Sequence, residues 1–120
     1  MSLQRRPLTG MLNLATNTYA PVLVGIAPAA PTVIHELDST LPYLDQVSLF
    51  LANSDAAAAT VIVTVANGAP FAVNVPARSV LQVLDDQPFN GRQGQPSGSQ
   101  ITVQVTGGAG SVAAFGYFTR

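Results

Sequence analysis

Cysteine, lysine and tryptophan are all missing from these 120 residues. The first absence excludes disulfides, thiolate chemistry and cysteine-based zinc sites. Charge is scarce as well. Asp, Glu, Lys and Arg make up 9% of the chain, against about 25% in an average domain. All five cations are arginines and the net charge is −1. That balance gives no support to nucleic-acid binding, which depends on a basic face. Nor does any window approach the roughly 20 apolar residues of a spanning helix. The segment around Arg5 and Arg6 begins like an export signal, but Asn13, Thr16, Asn17, Thr18 and Pro21 interrupt it. A signal core needs about 7–15 unbroken apolar residues. So few charges protect a free monomer poorly against association. Either Thr, Ser, Asn and Gln cover the surface, or partners do.

What the sequence does contain is strand signal. Its length suits one domain. Residues 1–18 show no clean period: Leu3, Pro7, Leu8, Met11, Leu12 and Leu14 stand among polar residues. This segment reads as an extended N-terminal arm, followed by a β-sandwich domain over residues 19–120. "PVLVGIAP" is short, β-branched and bounded by prolines, and "PTVIHELD" alternates with Val33, His35 and Leu37 on one side. In "DQVSLFLANSD", Val47, Leu49 and Leu51 share a phase, with Ser48, Phe50 and Ala52 opposite. "ATVIVTV" and "FAVNV" form a hairpin around Asn67-Gly68, a pair that tolerates positive φ. "SVLQVLDD" precedes a polar loop over residues 87–99, and "ITVQV" precedes a final strand. About seven or eight short antiparallel strands with no sustained helical period predict an all-β protein, a β-sandwich or jelly-roll-like barrel. Both faces of the final strand are apolar, with Phe115 and Tyr117 on one and Val112, Ala114 and Phe118 on the other. A strand wet on one face alternates with polar residues. The second face therefore needs cover, from the arm or from another subunit.

Catalytic patterns are thin. The single histidine, His35, lies in phase with Val33 and Leu37, so a half-buried strand residue is expected. No G-x-S-x-G elbow accompanies it for a Ser-His-Asp arrangement. The carboxylates Glu36, Asp38, Asp45, Asp55, Asp85 and Asp86 lack the tryptophan platforms that accompany sugar cleavage in small all-β hydrolases. Asp85-Asp86 reads as a solvated turn rather than a calcium site. No phosphate loop or dinucleotide fingerprint is present. The expectation is a protein that is no enzyme and carries no cofactor or metal. The arginines suit interfaces, because a guanidinium fork makes bidentate bonds to carboxylates.

The stretch "VSLFLANSDAAAATVIVTVANGAPFAVNVPARSVLQV", a polar loop, and "ITVQVTGGAGSVAAFGYFTR" together resemble small structural proteins of tailed-phage virions, in particular head decoration (cement) proteins. The resemblance rests on an "L-x-N" strand end at residues 51–53, a Thr/Val hairpin at residues 60–65, a "V-P-A-x-S" corner at residues 75–79 and a "G-Y-F" strand at residues 116–118. It spans roughly residues 45–120 and leaves the arm unmatched. It implies a virion protein on the capsid surface, often a homotrimer, that binds the major capsid protein and holds capsomers together. The same resemblance leaves open a tail, neck or fibre component. A carbohydrate- or receptor-binding sandwich using the polar loop is a further alternative. Neither nucleic acid nor membrane is an expected partner. Physical reading of the arm adds the candidate interface: Leu3, Arg5, Arg6, Pro7, Met11, Leu12 and Leu14, together with Phe115 and Tyr117 of the last strand.

Overall fold

A computed structural model of the chain describes residues 5–13, 15–24, 31–36, 44–65, 69–90, 100–108 and 112–119. Among them, eleven strands and one 3₁₀ turn over Thr9–Met11 make up the regular structure. The elements follow the alternation of apolar residues. Strand β7 (Ala59–Val65) buries Ala59, Val61 and Val63 and turns Thr60 out. Strand β10 (Gln100–Gly108) buries Ile101, Val103 and Val105. Strand β6 (Leu44–Asn53) buries Val47, Leu49 and Leu51, and β11 (Val112–Thr119) buries Val112, Ala114 and Phe118. β-branched side chains at every second position suit a pleated, half-buried surface.

Two antiparallel sheets enclose this core. With β1 (Arg5–Pro7), β4 (Val22–Val24) and β9 (Ser79–Asn90), the first runs β1-β11-β6-β9, and β4 also pairs with β11. With β5 (Thr32–Glu36) and β8 (Phe71–Val75), the second runs β5-β10-β7-β8. Strands β2 (Leu12–Asn13) and β3 (Thr18–Tyr19) make a small separate ribbon. The architecture is the all-β, sandwich-like one expected from the alternation. The turn at Asn67-Gly68 lies outside the described residues.

The described part of the N-terminal segment is extended but not free. Arg5, Arg6 and Pro7 pair with Thr119, Phe118 and Tyr117 along the edge of β11. Leu8 then enters the core at 0% exposure, and the Leu8 N–H donates to the Gly116 carbonyl at 3.4 Å. The 3₁₀ turn that follows packs on β5 of the other sheet. A Cβ at Gly10 would stand 2.6 Å from the carbonyl oxygens of Val33 and Ile34, so only glycine permits this approach. Residues 5–11 thus strap the first sheet to the second within one chain. The strap runs beside β11, not over its outer face. Of the arm's described residues, Arg5 reaches over that face, on the Tyr117 ring; residues 1–4 lie outside the described ones.

Two further differences have local causes. The expected loop at residues 87–99 starts later, because β9 continues to Asn90, paired with Leu44. Pro88 is tolerated there because β9 is an edge strand. Asp85 and Asp86 form no turn. Val47 pairs with Gln87 and Leu49 with Leu84, so both aspartates bulge opposite Ser48. Asp86 takes φ 48°, a left-handed value that aspartate tolerates, and its N–H donates to the Ser48 hydroxyl at 3.1 Å. Residues 91–99 lie outside the described ones.

If the strap is built into the fold in this way, Leu8→Ala costs about 2–4 kcal/mol through the cavity it leaves. Urea unfolding measures it; a dangling arm predicts no change in the midpoint.

Candidate docking face and a buried histidine node

Residues directly opposite in an antiparallel pair share a face. The registers therefore place Leu23, Ala113, Ala52 and Val80 in one row across β4, β11, β6 and β9. All four point away from the core. Leu23 is 79% exposed and Val80 62% exposed, and both are large apolar side chains at the two ends of the row. The next row is Phe115, Phe50 and Gln82. Its two phenyl rings stack with centroids 5.4 Å apart and an interplanar angle of 12°. Below them come Pro7, Tyr117 and Ser48. The Arg5 guanidinium lies 4.1 Å above the Tyr117 ring, a cation–π contact. Apart from Arg5, none of these side chains carries a charge at neutral pH; the Asp86 carboxylate borders the last row, accepting from the Ser48 hydroxyl at 3.4 Å. The result is a largely apolar face four strands wide, with Gln82 and Ser48 on its β9 and β6 side.

The predicted interface residues divide between this face and its flank. Phe115 and Tyr117 lie on it, with Arg5 and Pro7 at its strap end. Arg6 pairs opposite Phe118 and lines a cleft of ≈ 260 Å³ with Pro7, Thr9, Leu12, Tyr19 and Glu36. Met11 packs against the core. Leu3 and Leu14 lie outside the described residues. Leu23, Phe50, Ala52 and Val80 complete the face. Their sequence signal was an apolar residue in the outward phase of a strand whose inward phase was already full.

Corner residues of the second half are structural. The Asn53 side-chain amide donates to the carbonyls of Ala57, at 2.8 Å, and Val75, at 3.2 Å, while its oxygen accepts from the Asp55 N–H at 3.0 Å. This pins the β6–β7 connection to the end of β8. At the β8–β9 corner Arg78 takes φ 52°, and the Ser79 hydroxyl donates to the Ala77 carbonyl at 3.0 Å. In β11, a Cβ at Gly116 would run into the Ser48 carbonyl oxygen, which is why glycine interrupts the "G-Y-F" strand.

His35 is more deeply placed than its phase suggested. It is fully buried, as is Ile34 beside it. A bulge explains this: Ile101 pairs with His35 but Thr102 with Val33, so alternation breaks and two successive residues turn inward. The imidazole Nδ1 accepts from the Thr9 N–H at 3.3 Å. That requires the proton on Nε2, which donates to Oδ2 of the buried Asp45 at 2.9 Å. The Phe118 ring lies 4.6 Å away. A histidine–aspartate pair acts as a base only through its second nitrogen, and here a backbone N–H occupies that nitrogen. The arrangement is thus suited to holding elements together. Among the described residues no group of three or more His, Asp and Glu side chains is placed to hold a metal ion.

Compared with protein-family models, curated proteins and solved structures, the chain finds no match in any of the three.

Removing the carboxylate leaves a buried N–H without its acceptor. Asp45→Ala therefore costs about 2–4 kcal/mol. Asp45→Asn, whose oxygen still accepts, costs less than half of that. Chemical denaturation of the two variants against the parent measures the difference.

Proposed function

We propose that this chain is a structural protein of a virion, a capsid decoration protein that seats the outer face of its first sheet on the major capsid protein and ties neighbouring capsomers together. The observation that carries the reading is the apolar row Leu23, Ala113, Ala52 and Val80, exposed at both ends and backed by the stacked Phe50 and Phe115. Depletion of charge at the centre of a contact, with aromatic residues enriched, is the compositional mark of an interface core. The scarcity of charge over the whole chain and the resemblance of residues 45–120 to head decoration proteins point the same way.

Magnitudes favour a partner met many times over. Strands about 4.8 Å apart and about five residues long, at roughly 3.3 Å each, give four strands a patch on the order of 300 Å². That is under half of the ~800 Å² each partner brings to a standard interface. Burying it with a matching patch contributes on the order of 15 kcal/mol gross, comparable with the upper estimates of association cost. A single site is then weak. A trimer, as the resemblance implies, that touches several shell subunits at once gains by effective concentration.

The test mixes the purified protein with capsid shells lacking it, followed by sedimentation and electron cryo-microscopy. The parent co-sediments and appears on the outer surface between capsomers. The double variant Leu23→Lys and Val80→Lys folds with an unchanged unfolding midpoint, since both positions face water, but loses at least tenfold in shell binding. A parent that stays in the supernatant, or a double variant that binds as well as the parent, refutes the reading.

A further inference from the structure

We propose that the strap, residues 5–13, is held to the sandwich by a proton-sensitive latch at His35, such that protonating this imidazole loosens the strap and leaves the two sheets joined. The inference stands apart from the proposed function and needs only the strap's place within its own chain.

Thr9 fastens the strap to β5 through two bonds. Its N–H donates to His35 Nδ1 at 3.3 Å, and its hydroxyl accepts from the Glu36 N–H at 2.7 Å. The first exists only while Nδ1 keeps a lone pair. A second proton on the ring turns that nitrogen into a donor facing a donor, inside a site with no exposed surface, where an unmade hydrogen bond is costly. The other nitrogen behaves differently. Nε2–H donates to Asp45 in both protonation states, so the link from β5 to β6, between the two sheets, survives. The added charge also lands beside an existing carboxylate. The effect is thereby directed at one contact, between strap and sheet.

The surroundings agree. Asp45 faces the ring from β6, Phe118 from β11, Thr9 from the 3₁₀ turn, and Ile101 is its partner on β10. Glu36, next along β5, is exposed, and its carboxylate accepts from the Gln100 side chain at 2.9 Å. Arg6, on β1, lines the same cleft as Glu36. Among the described residues Asp45 is thus the charged group on the ring, and Glu36 and Arg6 line the neighbouring cleft. Once Thr9 lets go, the strap retains Leu8 and the three-residue pairing with β11. Only where that pairing opens as well is the β11 edge uncovered and Arg5 lifted from Tyr117.

The chain has one histidine, so its imidazole signals in NMR need no assignment. In the full-length protein, amide exchange corrected for intrinsic rates is followed while the pH is lowered. Protection of amides 8–13 is expected to fall at least tenfold in step with the His35 titration, while that of β6, β7 and β10 changes less than twofold. Uniform loss of protection, or strap opening that does not follow the imidazole, overturns the proposal. Two variants sharpen it. His35→Asn sets an oxygen near the Nδ1 position and keeps the strap closed at every pH. His35→Gln sets its amide near the Nε2 position, keeps Asp45, abandons Thr9, and leaves the strap loose at every pH. Retention of the parent's pH response by either variant also overturns it. Should neither fold, the parent's titration decides alone.

Discussion

Side chains of a strand alternate between two faces, and this chain has more apolar residues than one face of each strand can hold. Val47, Leu49 and Leu51 of β6 and Val112, Ala114 and Phe118 of β11 fill the inner side. Phe50, Ala52, Phe115 and Tyr117 are then forced outward by geometry alone, since a one-residue slip would exchange the two sets and bury neither better. The outer face is therefore a direct consequence of the core.

The strap is where the chain manages its remaining liability. An unpaired β11 edge would expose a ladder of backbone groups beside an apolar face, a template for strand addition. β4 covers one half of that edge and β1 the other. Three residues of pairing are little on their own. Leu8 in the core, Gly10 against the β5 backbone and Thr9 on His35 supply the rest of the hold. Leu8 ties the segment to the core and to Gly116 of β11, and Gly10 and Thr9 tie it to β5, so the two sheets are clasped along one seam.

Much of this was legible from residue order. The eight strands from β4 onward follow from period-two alternation and its turn punctuation, and the doubly apolar last strand announced apolar residues on an outer face. Three things were not legible, each for a physical reason. The strap's short strands have no period of their own, because their hydrogen bonds go to β11 and their packing to β5. His35 defied its phase because a bulge is set by the partner strand β10, not by the residues of β5. The aspartates of β9 looked like a turn because local propensity cannot register that Ser48, 38 positions away, accepts the bond that stabilises the bulge.

Strap and face meet at Arg5. Its guanidinium rests on Tyr117, and that contact is worth about 0.5–1 kcal/mol at an exposed site. It exists only while β1 stays paired. A closed strap thus places a cation over Tyr117 at one end of a patch whose other charged neighbour is the Asp86 carboxylate on Ser48, whereas an open one removes it and frees the aromatic ring. A guanidinium at the rim of an apolar contact governs orientation and encounter more than affinity. The position of a short N-terminal strand can therefore alter how the sheet is presented without altering the sheet, and the chemistry that sets that position lies behind the face, where a buried imidazole joins strap, β5 and β6 through its two nitrogens.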